Sequence, residues 1–344
     1  MTAVALQIED LVIRFHGQGR TLQVVDGVSL TVGSGEIVAI VGESGCGKSL
    51  TAMSSVALLP EAAEVSATAI RVGGQDVYPF DGPGLRRVRG RQVGFVFQEP
   101  LRALNPAMRV GQQLREVAAR HLSLSRRDLD RRMIDFLHLV GIPDPERVSR
   151  MYPHEISGGM RQRVLIAMAI ICDPLLLIAD EPTTALDVTI QAGILEILRD
   201  LRRTRALSIL LVSHDLGVVA DMADRVLVMY AGRIVEAAPV DALFGNPAHP
   251  YTSALLRATP THGSARLFEI PGSVPVFDGP QTSCAFAARC PRSTARCTAA
   301  LPALAEWAPS HLVACFHPGA EDDAPRPGTS GSSDRDGGAG GGRP

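Results

Sequence analysis

The sequence predicts an α/β fold built on a mostly parallel sheet, and three features carry that prediction. Nearly continuous apolar runs at 37–41, 175–179 and 208–212 have the character of strands covered on both faces. Helical periodicities fall between them, as parallel connections require. The first run feeds a glycine-rich turn of Gly42, Glu43, Ser44, Gly45, Cys46, Gly47, Lys48 and Ser49, which opens directly into a helix.

Upstream, Leu6, Ile8 and Val12, and then the stretch 24–32, alternate apolar with polar positions, which predicts half-exposed strands of an antiparallel sheet. After the turn a helix is predicted over 48–59. A strand at 93–97 ends at Gln98, Glu99 and Pro100, where the pattern becomes helical and arginine-rich and predicts a helical insert over 101–156. Leu114, Val117 and Ala118 share one helical face in it. Met133, Phe136, Leu137 and Val140 share another, stopped by Gly141 and Pro143. Strands at 175–179, 208–212 and 225–229 then alternate with helices at 188–204 and 216–222. Pro-rich loops begin near Asn246. From Glu321 onward Gly, Ser, Asp and Pro dominate without periodic apolar residues, which predicts a disordered tail. The chain thus divides at 1–245, 246–320 and 321–344, with the helical subdomain at about 101–157.

At 344 residues the chain is long enough for a full core and a second domain. An apolar fraction of 46%, a charged fraction of 20% and a net charge of -2 give no basic surplus, so no nucleic-acid partner is expected. The most apolar stretch, 164–179, is too short to span a bilayer, and Asp173-Pro174 interrupts it. The first ten residues lack the basic start and apolar core of a signal peptide. The chain is therefore expected to stay in the cytoplasm, where structural disulfides are rare. Its six cysteines need another account.

The turn at 42–49 follows the pattern of a phosphate-binding loop. Its glycines let backbone N–H groups turn inward around phosphates, and the following helix adds its positive end. Lys48 supplies charge to the β- and γ-phosphates, and Ser49 places a hydroxyl on Mg²⁺. Asp180 ends a buried strand, the position for a carboxylate that holds the metal directly or through water. Glu181, next in sequence, is placed to polarise an attacking water. Taken alone, Ser157-Gly158-Gly159 is a helix cap, and a lone His214 or Asp187 is a solvated loop residue.

The loop at 42–49, Gln98, Ser157-Gly158-Gly159-Met160-Arg161-Gln162, the strand ending in Asp180-Glu181, Ala185-Leu186-Asp187 and Ser213-His214-Asp215 occur in one order. Over roughly 240 residues that set resembles an ABC-transporter ATPase. The resemblance implies an ABC-type P-loop NTPase with a RecA-like parallel core, an antiparallel β subdomain and a helical subdomain. It implies that Ser157, Gly158 and Gly159 bind the γ-phosphate held by a partner ATPase subunit, which suits unpaired N–H groups at a helix start. It further implies that Gln98 touches Mg²⁺ or the lytic water, that His214 is a switch on the γ-phosphate, and that Asp187 links two sites. Phe15 is expected to stack on adenine, with a core role as the alternative.

Asn246-Pro247-Ala248-His249-Pro250-Tyr251-Thr252 and Ile270-Pro271-Gly272-Ser273-Val274-Pro275 resemble one branch, the oligopeptide, dipeptide and nickel importer ATPases. Cys284, Cys290, Cys297 and Cys315 match that branch's small loop-rich cysteine segment, which implies an iron-sulfur site. Five, six and seventeen residues separate successive cysteines without a Cys-x-x-Cys, so a [4Fe-4S] cluster, Zn²⁺ and free thiols all stay open. Cys46 reads as a small filler in the loop and Cys172 as core.

The branch resemblance implies an ATP- and Mg²⁺-dependent subunit, peripheral on the cytoplasmic face of a bacterial membrane, that powers import by head-to-tail closure. Its implied partners are two transmembrane permease subunits, a second ABC ATPase that is a related chain or a copy of this one, and, indirectly, an extracytoplasmic substrate-binding protein. The alternative is a soluble or redox-sensing iron-sulfur ABC ATPase without a transport role.

Overall fold

The computed structural model describes residues 3–17, 19–80, 84–98, 103–184, 186–258 and 270–319. The tail expected at 321–344 lies outside them, as do Glu99, Pro100 and Ala185.

Two sheets organise the chain. In the first, β1 (Val4–Gly17) lies between β2 (Arg20–Gly33) on one side and β4 (Ala63–Ser66) and β5 (Ala69–Val72) on the other, with the short β6 (Gln75–Asp76) beyond β5. All pairings are antiparallel, as the alternating pattern required. The second sheet runs in the order β12-β13-β11-β10-β3-β9-β8-β7, from Ala305–Ala308, His311–Val313, Arg233–Pro239, Arg225–Tyr230, Ile37–Val41, Ser208–Val212, Leu176–Asp180 and Val93–Val96 respectively. From β10 to β7 the neighbours are parallel, and β3, β8 and β9 are buried at every residue. Continuous burial on both faces explains their unbroken apolar runs.

Helices α1 (Lys48–Ser54) and α2 (Gly84–Val88) follow the antiparallel sheet's entry into this core. The predicted insert forms α3 (Val110–His121), α4 (Arg126–Leu139) and α5 (Pro145–Val148), leading to α6 (Gly158–Ile170). Leu114, Ala118, Met133, Phe136 and Leu137 are buried, and they join one core with Ile166 and Leu198, so the insert is welded to a face of the sheet. Ser125 caps α4 by accepting the Asp128 N–H. Helices α7 (Val188–Arg205), α8 (Leu216–Met222), α9 (Val240–Gly245) and α10 (Pro250–Ala258) follow, with α11 (Ala295–Ala299) near the end. Helix α1 stops at Ser54, short of the expected 59. The Ser54 and Ser55 hydroxyls bond back to Thr51 O and Ala52 O, and Ala57 takes a left-handed φ of 52°, which unwinds the turn before Pro60.

The segment beyond 246, expected as a small loop-rich domain, adds two strands to the edge of the larger sheet. Strand β13 pairs with β11 through Ala237 and Leu312, and β12 closes the edge. Tyr251 and Phe286 are buried against Tyr230, with ring centroids 4.6 and 5.3 Å from it. Glu236, wholly buried on β11, accepts the Ala248 and His249 N–H groups at 2.7 and 2.8 Å and meets His311 Nε2 at 2.7 Å. Its carboxylate thereby ties the start of α10 and strand β13 to the sheet. No helix among the described residues is long and apolar enough to cross a membrane.

Truncating Glu236 removes a buried acceptor for three donors at once. Glu236→Ala is expected to lower stability by about 3 kcal/mol, read as a lower midpoint of chemical denaturation with early exposure of the segment from 246 to 319.

Candidate nucleotide-binding and hydrolysis site

Because β3, β9, β8 and β7 are parallel neighbours, their carboxyl ends open on one edge of the sheet, where ligands of such sheets bind. The loop 42–49 leaves β3, Asp180 ends β8, His214 follows β9 and Gln98 follows β7. One edge therefore collects residues from positions 42 to 214.

The loop's glycines answer local demands. At Gly42, with φ 152°, a Cβ would run into the Met229 carbonyl, and at Gly47, with φ 104°, it would meet Val24 O and Met229 Cε. Ser44 and Gly45 face solvent, while Cys46 is buried as the filler the sequence suggested. Lys48 is buried inside the loop, its Nζ donating to Gly42 O at 2.9 Å and Glu43 O at 3.0 Å. Ser49 Oγ donates to Asp180 Oδ1 at 3.0 Å, which joins the start of α1 to the end of β8. Burial pushes the Asp180 carboxyl up from its ordinary value, with the Ser49 hydrogen bond opposing and the neighbouring Glu181 charge adding to the rise.

Glu181 is the hub of the second half. Its backbone sits at φ 49°, a left-handed conformation costly for a non-glycine residue, and its N–H is pinned to Val212 O at 2.9 Å. One carboxylate oxygen, Oε2, accepts from Gln98 Nε2 at 2.8 Å and from Thr184 Oγ1 at 2.9 Å; the other lies 3.2 Å from His214 Nδ1. The sequence reading gathered Gln98, Glu181 and His214 but missed Thr184. Its only sequence signal is a hydroxyl three residues after the glutamate.

Ser157 and Gly158 stand on the exposed start of α6, where Ser157 Oγ accepts the Met160 N–H at 3.3 Å. Gly159 is buried because a Cβ there would lie 2.7 Å from Ile190 Cγ2, so the starts of α6 and α7 touch. Asp187 is exposed and caps α7, Oδ1 accepting the Ile190 N–H at 3.0 Å. Buried Gln162 donates to Pro182 O at 2.7 Å, which ties α6 to the loop that carries Glu181. Phe15 is half-buried on β1, paired with Leu22 and Ala63 and packed on the antiparallel sheet's core.

The four C-terminal cysteines gather around one small cavity of about 10 Å³, with His249, Phe286 and His317 among its other walls. All are free thiols, and Cys284 N–H donates to Cys297 O at 3.0 Å. Burial pushes the thiols of Cys284, Cys290 and Cys315 up, and burial holds His249 neutral with a value down at about 3. The expected metal centre is not formed by this arrangement: among the described residues no three His, Cys, Asp or Glu side chains stand together as ligands would. Cys172 is buried core, as expected.

Comparisons with known proteins identify the family. The ABC transporter family pattern matches residues 25–184, and that of the oligopeptide/dipeptide transporter C-terminal region matches residues 235–297. The chain is 47% identical to a "probable peptide ABC transporter ATP-binding protein" of Sinorhizobium fredii, over 90% of this chain and 94% of the relative. It is 45% identical to the dipeptide transport ATP-binding protein of Bacillus subtilis, again over 90% and 94%. The oligopeptide transport ATP-binding protein of the same organism is 48% identical over 83% of this chain and 80% of its own. Among solved structures, an ATP-binding cassette dimer in a post-hydrolysis state with ADP and Pi superposes with a TM-score of 0.61 at 23% identity, covering 68% of this chain and 98% of that one. That likeness concerns the fold. The cbiO1 protein of Clostridium perfringens, part of an ABC transporter complex, gives 0.61 at 26% identity, covering 71% and 91%.

Since burial makes the folded Asp180 carboxyl harder to ionise than the unfolded one, folding stability falls as pH rises through the raised value. Asp180→Asn is therefore expected to stabilise the nucleotide-free chain by about 1 kcal/mol at neutral pH, an advantage that fades below the ordinary carboxylate range. Thermal denaturation across pH checks it, and Mg²⁺-dependent nucleotide binding should be lost in the same variant.

Proposed function

The chain belongs to the ABC transporter family and is an ABC-type ATPase; from that premise we propose that it drives a peptide-class importer. The peptide reading is supported by the C-terminal match at 235–297 and by relatives named for peptide, dipeptide and oligopeptide transport. Dipeptides or oligopeptides are the proposed cargo, with nickel as the alternative within the branch.

The observation that carries the mechanism is the split between the two phosphate-handling groups. Lys48, Ser49, Asp180, Glu181, Gln98 and His214 gather at one sheet edge, whereas Ser157 and Gly158 present a free helix start to solvent. An exposed helix N-terminus is complementary to an anion delivered from outside. We assign it to the γ-phosphate on a second ATPase subunit, a related chain or a copy of this one, in a head-to-tail pair. Asp187 caps α7 one turn from Ile190, which packs on Gly159 of α6, and we assign it to link one site to the other.

Within its own site the chain cradles the triphosphate with the N–H groups of 42–49 and with Lys48. Ser49, Asp180 and Gln98 supply hard oxygen donors that fit Mg²⁺, an ion that keeps several waters and needs few protein ligands. When bound, Mg²⁺ neutralises charge developing on the β- and γ-oxygens. Glu181, oriented by Gln98 and Thr184, holds the attacking water and receives its proton, and His214 lies against the other carboxylate oxygen. Phe15 is assigned to the adenine face on resemblance. Two permease subunits and, through them, an extracytoplasmic binding protein are the proposed partners. The helical insert receives the permease near Gln98, on the cytoplasmic face of the membrane.

In the assembled transporter, Glu181→Gln is expected to bind ATP, hold the closed dimer and abolish peptide uptake, with turnover down by at least about 100-fold. Wild-type ATP turnover by that variant would remove Glu181 from its role. For Cys284, Cys290, Cys297 and Cys315 we propose a [4Fe-4S] site on the branch resemblance; the cavity they line is smaller than a cluster, so loading it means opening that segment. Anaerobically purified protein is expected to be brown with about four irons per chain. Stoichiometric zinc, or a colourless metal-free protein, would replace that assignment.

A further inference from the structure

Glu43 is an odd residue for its place. A loop whose work is to hold a polyanion carries a carboxylate one residue after Gly42, where it would repel the phosphates. The C-terminal segment meets that charge directly. Arg289 Nη1 and Nη2 reach Glu43 Oε2 and Oε1 at 2.8 and 3.0 Å, a two-pronged ion pair between residues 246 positions apart. The arginine side chain is 5% exposed, against 28% for the glutamate. It is fixed from every side: Nε donates to Pro271 O at 2.7 Å, Nη2 to Ile270 O at 3.1 Å and Nη1 to Tyr230 Oη at 3.2 Å. The same segment also holds the Glu43 backbone, whose N–H donates to the buried Tyr251 hydroxyl at 2.8 Å.

We propose that Arg289 is a positioning residue for ATP, neutralising Glu43 and turning its carboxylate away from the phosphate cradle. The C-terminal segment then completes the nucleotide site of its own chain in addition to any role of its cysteines. A planar, permanently charged fork suits the task, because it matches both carboxylate oxygens and stays ionised while nearly buried. A lysine would satisfy the charge but not the geometry. This inference rests on ATP binding at 42–49.

Binding of a fluorescent ATP analogue to the full chain, with Mg²⁺, tests it. Arg289→Met is expected to weaken binding about five- to tenfold, by leaving Glu43 uncompensated beside the phosphates. Arg289→Lys should recover part of that loss. Once Glu43→Gln is in place, adding Arg289→Met should change affinity less than twofold, because the charge to be neutralised is gone. In turnover assays the single Arg289→Met variant should raise KM with kcat nearly kept. Unchanged affinity in Arg289→Met overturns the proposal, and so does a loss that persists undiminished alongside Glu43→Gln, the mark of a purely structural arginine. Lys48→Ala separates the premise from the proposal, since binding unaffected by that variant would displace the nucleotide from the loop itself.

Discussion

The parallel registration of β3, β9, β8 and β7 is the constraint on which the rest depends. Their carboxyl ends share one edge, so residues 131 and 83 positions apart come within hydrogen-bonding reach, Ser49 with Asp180 and Gln98 with Glu181. Slip β8 by one residue and Asp180 and Glu181 would exchange faces. Full burial of these strands prevents that slip, because every residue of β3, β8 and β9 is packed on both sides.

That edge is built against local stability. Asp180 is a carboxyl in a desolvated position, and Glu181 holds a left-handed backbone pinned by Val212 O. Both features would be removed by a fold optimised for stability alone. The apolar sheet and the helical insert welded to it supply the surplus that keeps them in place. The two halves of the phosphate machinery are then coupled through short links, Gln162 to Pro182 O and Gly159 against Ile190. Helix α6 is thus tied directly to the loop bearing Glu181.

The C-terminal segment obeys the same economy. It adds strands to the sheet edge, is anchored on buried Glu236, and packs Tyr251 and Phe286 around Tyr230. In doing so it delivers Arg289 and the Tyr251 hydroxyl to the phosphate loop. The cysteines line a small cavity of which Phe286 forms one wall.

Motif chemistry was legible in the sequence because it is local. Gly42 and Gly47 need left-handed or crowded backbone, a buried strand must be apolar, and an acid at its end must face the sheet edge; each rule acts within a few residues. The same locality let Ser157 be read both as a helix cap and as an anion site, and in the structure it caps α6 from an exposed position. Thr184 and Glu236 carried no such signal, and Tyr251 and Arg289 fitted the branch pattern without disclosing what they touch. An arginine at 289 looks like any other until the tertiary fold buries it against a carboxylate at 43. Periodicity and motif spacing were enough to lay out the parallel sheet, its glycine-rich loop and the family to which the chain belongs. That the C-terminal segment joins that sheet and touches that loop emerges only on folding, because long-range charge pairing leaves no periodicity or spacing in the chain.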